Sequence, residues 1–250
     1  MEKISKAQVK LVRSLQQKKF RDELGLFVAE GEKCVSEIAK GFELVSLFRE
    51  GENATRTEIE QMSGLRTPQG VMGVFRKHSV VRIQDSDLLL VLDGVQDPGN
   101  LGTIIRTCDW FGVHDIVCSL DTADCYNPKV VQATMGALAR VRVHYVDLPK
   151  WLSAISHQHS EVSSQSSDIR IYGTLLDGKD MYEELKVRGE RLTAKEFIIM
   201  GNEGNGISQE VRPYITHPIR IPSYPKDVET SESLNVSIAT AIVLAEFRRG

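Results

Sequence analysis

Leu88 to Val95 is an apolar run broken only by Asp93 and Gly94. Such a run, bounded by turn residues, marks a strand covered on both faces. A strand of that kind needs helices on both sides, which points to a parallel α/β architecture. The sequence downstream supplies them. After Gln96-Asp97-Pro98-Gly99-Asn100-Leu101-Gly102, a helix is expected from about Thr103 to Phe111 and a strand from His114 to Leu120. Together they make a βαβ unit. Asn127-Pro128 predicts the N-cap and first residue of a helix running to Ala139. Strands are predicted around Val141 to Tyr145, Ile169 to Leu176, Phe197 to Met200 and Ile219 to Pro222. Helices fall over Pro149 to Ser156 and after Ser208, with a turn at Asp177-Gly178 and a low-complexity loop from Glu161 to Ser167.

The first 80 residues read differently. Ser5-Lys6-Ala7-Gln8 has capping-box spacing, with Val9, Val12 and Leu15 on one face of the helix it opens. Leu26 to Ala29, Phe42 to Phe48 and Gly70 to Phe75 read as strands. Between them, a helix from Glu32 to Lys40 closes at Gly41, and Thr57 with Glu60 opens a short one. This is a small α/β domain, residues 1–80, and polar Arg76 to Asp87 links it to the larger domain, residues 81–250.

At the far end, Ile238 to Phe247 is apolar almost all round, so its helix is expected to be buried. Ser231 or Ser233 is the expected cap, leaving Ser233, Asn235 and Ser237 at the positive end of the dipole.

Composition limits the function classes. No apolar run reaches the ~18 residues of a membrane span, and Met1-Glu2-Lys3-Ile4-Ser5 has no apolar signal core, so a cytoplasmic protein is expected. Cys34, Cys108, Cys118 and Cys125 form no CxxC pair and are expected to be buried free thiols. His157 and His159 read as solvated loop, and no metal site is expected. The net charge of −3 hides an asymmetry. Lys3, Lys6, Lys10, Arg13, Lys18, Lys19 and Arg21 stand against Glu2 alone, so residues 1–21 carry +6 and the remainder −9. A basic arm on an acidic body suits phosphate-backbone binding as well as it suits a solvated face.

Ligands of open α/β sheets sit beyond the carboxyl ends of the strands. Three loops qualify, 96–102, 201–206 and 222–235. Gly201 to Gly206 matches neither a P-loop nor a dinucleotide fingerprint, yet its glycines let backbone approach a ligand. Arg106, placed in the first turn of its helix, sits where the dipole disfavours a cation.

Taken together, the loops resemble a known family. Asp93 through Thr107 with Phe111-Gly112 looks like the first motif of the SpoU (TrmH-type) RNA ribose 2′-O-methyltransferases. Gly201-Asn202-Glu203-Gly204-Asn205-Gly206-Ile207 is similar to the second. Ile221-Pro222 with Ser233-Leu234-Asn235-Val236-Ser237 and Ala239 is similar to the third. Phe27-Val28-Ala29-Glu30-Gly31 and Thr67-Pro68-Gln69-Gly70-Val71 look like the substrate-binding domain often fused ahead of that domain. Ser223 to Glu232 is longer than the usual link.

The resemblance implies a SPOUT-type fold with a deep trefoil knot, preceded by a small RNA substrate-binding domain. It implies S-adenosylmethionine as cofactor, held by Thr174, Leu175, Gly201, Asn202, Gly206, Ile221, Pro222 and Leu234. It implies a catalytic set of Arg106, Asn100, Glu203, Asn235 and Ser233, and a homodimer. Ribosomal RNA is the expected substrate. The alternatives are a tRNA 2′-O-methyltransferase and a non-catalytic RNA-binding assembly factor.

Overall fold

The structure, a computed structural model, describes residues 3–78, 83, 86–161, 169–186, 195–225, 231 and 233–249. It comprises two compact units: residues 1–81, 97–106 and 123–142, and residues 82–96, 107–122 and 143–250. Most of the loop 161–167, much of the linker and most of Ser223 to Glu232 lie outside the described residues.

In the first unit, α1 (Lys6–Ser14) opens with the expected box. Ser5 accepts from the Gln8 amide and the Gln8 side chain from the Ser5 amide. Val9 and Val12 then turn into a core shared with α4 (Arg56–Met62). Between these helices lie α2 (Lys18–Leu24), β1 (Leu26–Glu30), α3 (Glu32–Ile38) and β2 (Leu44–Arg49), and β3 (Val71–Arg76) follows. The three strands form an antiparallel sheet ordered β1-β3-β2. The cap of α4 is Thr55 with Glu58, rather than Thr57 with Glu60. The Glu58 carboxylate reaches back to the Thr55 amide, while Glu60 pairs with Arg56 one turn away.

Arg21 does not belong to a solvated basic arm. It is 2% exposed, donates through Nε and Nη2 to Asp124 at 3.1 and 2.6 Å, and caps the Leu15 and Gln16 carbonyls. Lys18 likewise pairs with Asp22.

The second unit is built on a six-stranded sheet ordered β6-β5-β4-β8-β7-β9. Its strands are β4 (Leu88–Leu92), β5 (Asp115–Ser119), β6 (Arg142–Val146), β7 (Ile169–Asp180), β8 (Lys195–Met200) and β9 (His217–Arg220). β4 runs parallel to β5 and β8, and β7 parallel to β8 and β9. Every residue of β4 and β5 is buried, as the apolar run required. The helices are α5 (Pro98–Trp110), α6 (Pro128–Thr134), α7 (Leu148–Glu161), α8 (Met181–Lys186) and α9 (Val236–Phe247), with α6 and the start of α5 clustering in the first unit. None of the described helices is long and apolar enough to cross a membrane.

Several expectations are corrected. The helix after the first loop begins at Pro98, not Thr103, because Asp97 caps the Asn100 amide and Pro98 supplies the first helical φ. Arg106 therefore sits in the third turn, and the dipole argument against a cation lapses. α6 ends at Thr134, five residues short of Ala139. Met135 and Gly136 are left-handed, and a Cβ on Gly136 would lie 2.3 Å from Glu37. No α-helix follows Ser208; with Pro213 inside it, the segment makes only a 3₁₀ turn, Arg212–Tyr214. His157 and His159 fall within α7. β7 runs through to Asp180, with a register shift between Thr174 and Lys179 where the turn was expected.

α9 departs most. Asn235, not a serine, caps it, its Oδ1 accepting from the Ser237 and Ile238 amides at 3.0 and 3.4 Å. Nor is it buried all round. Val236, Thr240, Val243, Leu244 and Phe247 face inward, with Phe247 edge-on to Tyr172 at 4.8 Å, but Ile238 is 55% exposed. All four cysteines are free and buried, and burial pushes the Cys34 thiol up to about 11 and Cys108 up as well. Neither of these two thiols is a nucleophile at neutral pH.

Candidate active site

The parallel sheet sends its motif loops off one edge. β4 ends at Leu92 opposite Met200 of β8, and the Asp93 amide continues the ladder by donating to the Met200 carbonyl at 2.9 Å. The first and second sequence loops thus leave from adjacent strands. β7 lies against the other side of β8 and β9 beyond it, so Gly201 and Ile221-Pro222 follow the carboxyl ends of their strands, while Thr174-Leu175 stand where β7, still running, leaves its pairing with β8. Residues scattered between 174 and 222 therefore fall into one rank because parallel strands in register hold them at one level.

Each element positions its own groups. Thr174 donates to the Ile199 carbonyl at 3.2 Å, and the chain from Leu175 to Gly178 leaves the ladder, exposing Leu176. Gly201 is fixed by close approach: a Cβ there would stand 2.3 Å from the Gly206 carbonyl carbon. Gly206 has φ +67, and its backbone exchanges two hydrogen bonds with Asn202. Between them Glu203, Gly204 and Asn205 are exposed. The resemblance sets Asn202 at the cofactor, but its side chain is committed to the protein: Oδ1 accepts from the Gly204 and Asn205 amides, and Nδ2 donates to the Gly94 carbonyl at 2.6 Å.

Asn100 and Arg106 lie on α5. Leu101, Ile104, Ile105 and Cys108 take its buried face, leaving Arg106 exposed on the other. Gly102 lets α5 approach α6 closely, since a Cβ would meet Ala133 at 2.4 Å. Arg106 makes no ion pair among the described residues, in contrast to Arg49, Arg56 and Arg76, which all pair with glutamates. Ser233, Leu234 and Asn235 are exposed at the N-terminal end of α9. Sequence reasoning misses the polar brace under the first loop. Ser119 accepts from the Gly94 amide at 2.8 Å, and Asp93, 8% exposed, accepts from the Ser208 amide at 2.7 Å. Asp93 within an apolar run is the available signal, because a buried carboxylate needs partners.

The parallel sheet with its glycine-bearing loops suits many ligand-binding α/β domains, and comparison with known proteins sets this one in the SPOUT methyltransferase class. Residues 87–245 match the family model described as SpoU rRNA Methylase, and residues 6–64 match the MRM3-like substrate binding domain. The chain belongs to the SpoU methylase family. It is 27% identical to the 23S rRNA (guanosine(2553)-2′-O)-methyltransferase RlmP of Bacillus subtilis, over 99% of this chain and 98% of that protein. It is 30% identical to the 23S rRNA (guanosine-2′-O-)-methyltransferase RlmB of Neisseria meningitidis, covering 72% and 69%. Among solved structures it is similar to a TrmH-family protein of Porphyromonas gingivalis (TM-score 0.85, 35% identity, 98% of each chain). It is also similar to the AdoMet-bound rRNA methyltransferase of Sinorhizobium meliloti (TM-score 0.79, 28% identity, 100% and 97% coverage).

Proposed function

We propose that this protein methylates a ribose 2′-hydroxyl of ribosomal RNA, using S-adenosylmethionine. The observation that carries the reading is that the segments after β4, β8 and β9, where the three motifs begin or continue, leave parallel strands of one sheet, in a chain whose relative over nearly its full length is named for that reaction. The residues present fit such a cofactor. Residues 203–206 are exposed beyond the end of β8, and Leu176 and Leu234, 75% and 51% exposed, offer apolar surface to an adenine. The backbones of Gly201, Ile221 and Leu234 would hold it, with Thr174, Leu175, Gly206 and Pro222 shaping the rim. When bound, the cofactor supplies an electrophilic methyl on a sulfonium.

The chain's own groups do the rest. Arginine keeps its proton under working conditions, so Arg106 acts as a fixed positive charge that orients the ribose and stabilises the developing alkoxide. Asn100, Glu203, Ser233 and Asn235 organise the polar surroundings. The knot of the SPOUT class is part of this reading. Titration calorimetry with S-adenosylmethionine and methyl transfer to rRNA transcripts test it. Failure to bind the cofactor would favour a non-catalytic RNA-binding assembly factor, and methylation of tRNA alone would replace the substrate.

The small unit is the RNA-binding part of this reading. Lys6, Lys10 and Arg13, at i, i+4 and i+7 on α1, are exposed and make no ion pair among the described residues. Replacing all three with Gln should weaken RNA binding and flatten the slope of log affinity against log salt by roughly 0.7–0.9 for each phosphate no longer neutralised. Cofactor affinity should not change; an unaltered slope would clear α1 of any part in holding RNA.

The reading also includes a homodimer. Exposed Ile238 and Ala245 on α9 and Trp110, 84% exposed on α5, are apolar surface that a second copy would cover. Light scattering should return twice the chain mass of 28.0 kDa. A monomer mass at micromolar concentration would refute it.

A further inference from the structure

Gly94 is the hinge between β4 and the turn that launches α5, and both its polar backbone groups are taken by side chains from other loops. Its amide donates to Ser119 Oγ at 2.8 Å, and Ser119 is in turn 2.5 Å from Asp121 Oδ1. Its carbonyl accepts from Asn202 Nδ2 at 2.6 Å. The amide orientation of Asn202 is unambiguous, because Oδ1 faces two N–H donors, of Gly204 at 2.8 Å and Asn205 at 3.1 Å, and only the NH₂ can face a carbonyl. One residue earlier, Asp93 accepts from the Ser208 amide at 2.7 Å, so the two ends of the 201–208 loop are each tied to the same turn. Glycine is needed at 94: φ is +75, and a Cβ would lie 3.2 Å from Asp121 and 3.6 Å from Asn202.

We infer that Asn202 is a positioning residue, a strut that ties the glycine loop 201–206 to the turn from which α5 delivers Asn100 and Arg106. The inference rests on the proposed function in giving that loop to the cofactor and α5 to the ribose. It assigns Asn202 a role other than touching the cofactor. Anything that orders the 201–206 loop also fixes the Gly94 carbonyl, and hence the start of the helix that bears Arg106. Of the ties between this loop and the turn, the Asn202–Gly94 hydrogen bond is the one that starts inside the glycine loop, and a displacement of ~1 Å at the reacting groups is enough to cost about 100-fold in rate.

Asn202→Asp separates the two roles. It keeps an acceptor for the Gly204 and Asn205 amides, but it turns the donor to Gly94 into an oxygen facing an oxygen. Hydrogen exchange on the ligand-free protein should become about tenfold faster from Asp93 to Leu101 while Gly204 and Asn205 stay protected. Titration calorimetry should give S-adenosylmethionine affinity within about threefold of the parent, while kcat on saturating rRNA falls by about 100-fold. Asn202→Ala, which loses the loop acceptors as well, should lower both. Unchanged exchange at residues 93–101 would overturn the strut. A loss of cofactor affinity in Asn202→Asp with kcat preserved would overturn the positioning role and return Asn202 to the cofactor. A parent protein that binds no S-adenosylmethionine would defeat the proposed function instead, and the exchange measurement would still decide the strut.

Discussion

Replacing Arg106 with alanine is expected to lower methyl transfer by at least ~10³-fold, about 4 kcal/mol of barrier at 1.36 kcal/mol per decade. The size follows from where the charge stands. Arg106 is exposed in the third turn of α5, on the face opposite Ile104, Ile105 and Cys108. No carboxylate of the described residues neutralises it, so its full charge is available to a ribose oxygen or phosphate. Because it supports nothing in the core, the variant should fold as the parent does, with an unchanged melting temperature and unchanged cofactor affinity. Arg106→Lys keeps the charge but not the planar fork, and should recover only part of the loss. Near-parental methylation by Arg106→Ala would remove it from the mechanism, and abolished cofactor binding would move it to a different role.

The second large effect concerns stability. Arg21→Met should destabilise the protein by roughly 3–5 kcal/mol, the range for breaking a buried ion pair from one side. Arg21 is 2% exposed and Asp124 11% by side chain, and the guanidinium also satisfies the Leu15 and Gln16 carbonyls at the end of α1. Removing it strands the carboxylate and two carbonyls together. Urea unfolding followed by circular dichroism measures the loss. The pair variant Arg21→Met with Asp124→Leu should regain much of it, since a buried pair exchanged for apolar groups is often near neutral. A loss below about 1 kcal/mol would mean that Asp124 finds water when its partner is gone.

Those two arginines show how far the sequence reaches. Arg106 is legible because it sits in a motif, and a motif is local: residues 93–107 are contiguous, and the chemistry they need is written in their order. Arg21 reads instead as part of a cationic arm, because its partner lies 103 residues away and no local pattern announces it. The same distinction explains the elements. Ser5-Gln8 and Asn127-Pro128 are correctly legible, since a cap is made by residues within one turn. Thr57 with Glu60, the expected cap, has the same spacing as Thr55 with Glu58, and only the backbone conformation before the helix selects Thr55. The early stop of α6 follows from Glu37 standing against Gly136, an approach between segments about a hundred residues apart.

The apolar run 88–95, the strand–helix alternation and the motif residues of the three loops are fixed by neighbours in the chain, through period, capping and the covalent order of the motifs. What only the tertiary structure decided is which strand lies beside which. The order β4-β8-β7-β9 turns positions 93, 174, 201 and 221 into one edge. It also sets the Asn202 side chain on Gly94, 108 residues away, and leaves one face of an almost wholly apolar α9 exposed. Pairing of that kind depends on which distant surfaces fit and which buried polar groups find partners, and the free energies that choose among pairings belong to the packed whole.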